Sequence, residues 1–182
     1  MIQAVQWMLI AMAVIIVLAA CNQGGSSSGI GSSKGATTTQ VEHAMYRDRS
    51  KALQGIHLGI MAIGSITYNK WFHGSEKELR EGLIRMREGL SGITVGAACI
   101  KGFTDDDGKD NGYGWARGNS IYFCELPLDR LKDTRGWWYH EGSHVLMGTK
   151  DYAYGKAESQ ALPSSKAVRN AASIAGYLGE VQ

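Results

Sequence analysis

In the stretch Trp137-Trp138-Tyr139-His140-Glu141-Gly142-Ser143-His144-Val145-Leu146, two histidines stand four residues apart and a glutamate directly follows the first. The apolar flanks predict a helix, and on a helix His140 and His144 share one face at the separation a single zinc ion needs for two nitrogen ligands. Glu141 is offset by one residue. Its carboxylate can therefore reach a coordinated water without itself ligating, which is the geometry required of a general base. The competing reading is a pair of ordinary, partly buried histidines on a helix face. The other histidines, His43, His57 and His73, lie far upstream and are expected at the surface or in packing roles.

A third ligand has to come from elsewhere. Met147 and Lys150 occupy the places where the extended three-histidine pattern of the metzincins has a glycine and its last histidine, so an Asp or Glu is required. Downstream runs Gly148-Thr149-Lys150-Asp151-Tyr152-Ala153-Tyr154-Gly155. The two histidines and glutamate followed by Gly-Thr-x-Asp-x-x-Tyr-Gly resemble the aspzincins, the deuterolysin and lysine-specific metalloendopeptidase group. The resemblance implies that His140, His144 and Asp151 bind Zn2+, that Glu141 is the base and that Tyr154 assists the transition state. Two imidazoles and one carboxylate leave a fourth position open for water, consistent with a catalytic rather than a structural zinc. Glu158 is the alternative third ligand. Gly148 and Gly155 are expected to let the intervening loop turn sharply.

Weaker similarity extends outward. Tyr68-Asn69-Lys70-Trp71-Phe72-His73-Gly74 resembles a Tyr-x-x-Trp-Phe-Gly segment of the family, interrupted by His73, and Asn119 to Pro127 resembles its Ile-Tyr-Leu strand. The segment most worth noting is a departure. Where the lysine-specific branch has Asn-Ala-Asp-x-x-Glu, this chain reads Asn170-Ala171-Ala172-Ser173-Ile174-Ala175. A lysine ammonium entering a pocket lined by Ala172 and Ala175 would lose hydration without gaining a counter-charge, so no lysine specificity is expected. The implied function is a zinc-dependent endopeptidase acting on peptides or proteins. The alternative is a catalytically weak zinc-binding module.

Periodicity around this centre gives an α+β domain. Apolar residues at helical spacing predict a first helix from Val41 to about Ile66, weakened by Gly55, Gly59 and Gly64. Ser75 and Glu78 read as a capping box opening a second helix that ends at Gly89 or Gly92. Ile93–Ile100 and Ser120–Cys124 are strand-like, with a turn over Asp105–Gly114 whose acidic run lacks the spacing of a calcium loop. The motif helix and a last helix over Ala167–Val181 follow. The resemblance makes this a zincin-like domain, mostly helical with a small antiparallel sheet.

The N-terminus reads differently. Trp7 to Ala20 is an unbroken apolar run, short for a membrane span but ordinary for a signal peptide, and it closes on Leu18-Ala19-Ala20-Cys21, which resembles a bacterial lipobox. Residues 1–20 are thus expected to be a signal peptide, 21–40 a Gly/Ser-rich tether lipidated at Cys21, and 41–182 the peptidase domain. This places the protein in the cell envelope, held to a membrane by its lipid, with secretion as the alternative. The mass of the mature N-terminus separates the two. Setting Cys21 aside leaves Cys99 and Cys124, which can pair as a disulfide in an oxidising envelope, or persist as buried thiols. The formal net charge of +2 is too small and too well mixed for a nucleic-acid partner. The sequence does not fix an oligomeric state.

Overall fold

The computed structural model describes residues 36–97, 114–123 and 128–182. The signal segment, most of the tether, Cys21, the acidic turn, Cys99 and Cys124 lie outside these residues. Among the described residues no helix is long and apolar enough to cross a membrane.

Helix α1 (Thr38–Met61) begins inside the stretch read as tether. The reason is a capping box. The Thr37 Oγ1 accepts the Gln40 N–H at 3.3 Å, and the Gln40 amide oxygen accepts the Thr37 N–H at 2.9 Å. Gly55 and Gly59 do not break the helix, because each is a point of close packing. A methyl group at Gly55 would strike the Tyr139 hydroxyl, and one at Gly59 would strike Leu178. The helix ends before the expected Ile66: Gly64 takes a left-handed φ of 93° and a new helix, α2 (Ile66–Phe72), follows.

Helix α3 (Glu76–Gly89) is where the second helix is expected, but the Ser75–Glu78 capping box is not formed. Ser75 sits at φ 69° and its hydroxyl instead meets Ser164 Oγ at 2.8 Å. Strands β1 (Thr94–Ala97), β2 (Gly114–Arg117) and β3 (Ser120–Phe123) form a sheet in the order β1-β3-β2. The β2–β3 pair is an antiparallel hairpin, whereas β1 runs parallel to β3. The sheet is therefore mixed rather than antiparallel. Residues 98–119, β2 among them, separate β1 from β3, more than the dozen or so needed to return a strand in parallel. Ile121 and Phe123 alternate inward from β3, as a half-buried strand requires.

The motif helix α4 (Arg135–Met147) is the centre of the domain, packed on α1, α3, the sheet and the C-terminal helix. That last helix is divided into α6 (Ser164–Ala167) and α7 (Ala171–Glu180), and the loop before it contains a short helix, α5 (Lys156–Gln160). Two polar anchors fix α4 on α1. The Trp138 indole N–H donates to the Met45 carbonyl at 2.8 Å. Buried Asp48 accepts both the backbone N–H and the hydroxyl of Thr134, each at 3.1 Å, at the point where α4 begins. Trp138, Tyr139, Tyr177, Phe72, Met45 and Ile56 then fill one continuous core around it.

Candidate metal centre

One turn apart on α4, the rings of His140 and His144 lie with centroids 5.0 Å apart at 79°. Gly148 ends the helix in the left-handed region at φ 69°, and the reversal brings Asp151 back over the two rings. Asp151 Oδ1 is 3.3 Å from His140 Nε2, and Oδ2 is 3.3 Å from His144 Nε2. One ligand atom from each of the three residues falls within 4.8 Å of the others, a group that can hold a metal ion. The three residues expected as ligands are thus brought together. Glu158 is not among them, since its carboxylate turns back toward the Gly155 N–H at 3.4 Å. Nor are His43, His57 and His73, which are exposed.

The spacing and chemistry of the donors fit a tetrahedral cation. Two ligands bound at about 2.0–2.1 Å to a tetrahedral centre lie roughly 3.3–3.4 Å apart, and each imidazole stands 3.3 Å from its own carboxylate oxygen, His140 from Oδ1 and His144 from Oδ2. Asp151 Oδ1 is buried with no hydrogen-bond partner, so its contact with His140 is one of proximity rather than of hydrogen-bond direction. Such an oxygen is costly to bury unless a cation or a donor completes it. The tautomer of His144 is also set. Its Nδ1 lies 2.8 Å from the Thr149 carbonyl, which can only accept, so Nδ1 carries a proton and the neutral ring presents the lone pair of Nε2 to the site. Thr149 is itself held by a 2.7 Å hydroxyl contact with Ser143, whose hydroxyl also meets the His140 carbonyl at 2.7 Å.

The two carboxyl groups are driven apart electrostatically. Burial pushes the Glu141 carboxyl upward; His140 and His144 oppose that rise, and Asp151 adds to it. Burial also lifts Asp151, but the two imidazoles together outweigh it and hold its carboxyl well below the usual carboxylate range. One group thus stays anionic and suited to ligation, while the other takes up a proton more readily. Glu141 is 4% exposed, on the same helix turn as His140, and within electrostatic reach of all three cluster residues.

Tyr154 lies beside His140, its ring nearly parallel to the imidazole at 6.4 Å and half exposed. Gly155 does not serve as a sharp turn. It is extended at φ −74° and ψ 151° and opens α5. The residue missed by sequence reasoning is Asn170. In the sequence it appears only as the first residue of the Asn-Ala-Ala segment, with no role assigned, yet its buried amide bonds directly to the backbone of the Asp151–Tyr154 loop. Ala172 and Ala175 lie partly buried on α7.

No family model matches this sequence, and no curated protein matches it. The structure is similar to a solved one described as a zinc peptidase from Grifola frondosa, with a TM-score of 0.61 and 20% sequence identity, covering 79% of this chain and 96% of that one. At that identity the likeness is one of fold, and it shows the α+β, zincin-like architecture in which the His140, His144 and Asp151 cluster is set.

Proposed function

We propose that this chain is a zinc-dependent endopeptidase of the aspzincin type. The observation that carries the reading is the convergence of His140, His144 and Asp151, with Glu141 buried beside them on the same helix. The fold shared with a zinc peptidase supports it. Zinc held by these three residues would supply Lewis acidity, acidifying a water and polarising the scissile carbonyl.

The remaining roles belong to the chain. Glu141, with its carboxyl raised by burial, accepts a proton from the attacking water and passes it to the amide nitrogen as the C–N bond breaks. The Thr149 carbonyl keeps the His144 ring in a ligating tautomer. Tyr154, beside His140 at the exposed edge of the cluster, donates a hydrogen bond to the carbonyl oxygen as charge develops there. With alanines at 172 and 175, the pocket offers a lysine side chain no counter-charge, so cleavage is not directed to lysine bonds.

The test is zinc stoichiometry and proteolysis of a denatured protein substrate by native protein, Glu141→Ala and Asp151→Ala. Native protein is expected to bind one zinc and cleave. Glu141→Ala should bind zinc yet lose activity by about 10²-fold or more, and Asp151→Ala should lose zinc itself. Zinc binding with no cleavage by any form would replace this reading with that of a zinc-binding module.

A further inference from the structure

Asn170 is wholly buried at the position that opens α7, where an asparagine ordinarily turns its side-chain oxygen onto the helix's own first N–H groups. Here no such cap forms. The Oδ1 instead accepts the backbone N–H of Tyr152 at 2.9 Å and of Ala153 at 3.1 Å. The two N–H groups of Nδ2 are shared among the Ala153 carbonyl at 3.1 Å, Ser159 Oγ at 3.3 Å and Ser173 Oγ at 2.9 Å. A helix that forgoes a cap worth about 1 kcal/mol while its side chain serves a distant loop breaks a local rule, as functional sites do.

The loop so held is the one that carries Asp151. On its upstream side the Lys150 N–H donates to the Arg169 carbonyl at 2.8 Å and the Ala171 N–H to the Lys150 carbonyl at 3.0 Å, an isolated parallel bridge beside Asn170. On its downstream side the amides of Tyr152 and Ala153 are bound by the Asn170 side chain. Asp151 therefore sits between two backbone anchors, one made by main chain and the other by a single amide group.

We infer that Asn170 is the positioning residue for Asp151: its side chain fixes the loop so that the carboxylate faces both imidazoles before any metal arrives. The inference rests on the zinc reading above. Removing the side chain releases only the downstream anchor, so the domain still folds, but Asp151 must be ordered at the moment of metal binding. Outer partners of metal ligands typically contribute tenfold to a hundredfold in affinity.

Two readouts test this on the full domain: zinc affinity by chelator competition, and hydrogen exchange of the Tyr152 and Ala153 amides in metal-free protein. In Asn170→Ala those amides should exchange about tenfold faster or more, and zinc should bind roughly 10–100-fold more weakly. Ser173→Ala, which removes a partner of the same amide on the helix side, should leave both near native. Should Asn170→Ala not fold, the isosteric Asn170→Asp keeps an acceptor for the two amides but sets its second oxygen against the Ala153 carbonyl in place of a donor, so amide exchange should quicken and zinc binding weaken together. Zinc affinity that does not follow the amides, in either direction, overturns the inference. Native protein that shows slow amides but binds no zinc overturns the zinc reading itself, and the exchange data separate the two failures.

Discussion

Among the side chains around the cluster, Tyr154 is one to which the proposed function gives a chemical role without ligation. Its phenol lies on an exposed edge beside His140, where a substrate carbonyl would approach from solvent. A hydrogen bond formed as charge develops lowers the barrier without strengthening ground-state binding. Tyr154→Phe is accordingly expected to lower kcat on the order of a hundredfold with KM and zinc affinity little changed, measured by steady-state kinetics and chelator competition. A change confined to KM would assign Tyr154 to substrate binding instead. At this scale the sequence was informative where relations are local. His140, Glu141 and His144 are related by one helical turn, and Asp151 follows after a glycine stop, so spacing and motif expose them. Asn170 acts on backbone 17 and 18 residues away, through an amide that no periodicity marks.

At the scale of elements, the position of α4 depends on Asp48. This carboxylate is 1% exposed, pairs with Arg47 and Lys51, and accepts two hydrogen bonds from Thr134 where α4 begins. The Arg47 side-chain bond holds its carboxyl far below the usual range; burial opposes this, and the Thr134 and Lys51 bonds add to it. A carboxyl whose folded pKa is depressed stabilises above its unfolded value, about 3.9, and loses that contribution as pH falls toward the folded value. Asp48→Ala should therefore cost about 1–3 kcal/mol near neutrality, chiefly from the buried Thr134 N–H left unmet, because the Thr134 hydroxyl keeps the Ala44 carbonyl at 3.2 Å and both cations are largely exposed. Urea unfolding across pH should show the gap between native and variant constant above about pH 5 and shrinking below about pH 4. A gap that widens in acid would contradict this. The helices themselves were readable from periodicity. Their ends and partners were not: Ser75 bonds to Ser164 rather than capping α3, and β1 lies parallel to β3, because each is decided by a segment remote in sequence.

At the scale of the whole molecule, the metal cluster is peripheral to what holds the fold together. The core runs continuously through α1, α2, α3, the sheet, α4 and α7, whereas the three ligand side chains, each 19–20% exposed, lie at its edge. Metal-free protein is therefore expected to remain folded, unlike small zinc domains whose folding is the binding event. Yet the ligands span two units, α4 and the loop pinned to the start of α7, so zinc bound to them links those units and selects the folded state. At free zinc a thousandfold above its Kd, the linkage amounts to about 4.1 kcal/mol, and for a domain of this size each kcal/mol raises Tm by roughly 2–4 °C. Scanning calorimetry should thus show Tm rising by roughly 10 °C between chelated and zinc-loaded protein, and rising further with the logarithm of free zinc. Asp151→Ala should lose most of that response while keeping a cooperative transition. Collapse of the fold on chelation would mean that the core does not suffice alone. A Tm indifferent to zinc would mean that the 3.3 Å contacts are histidine–carboxylate pairs and nothing more.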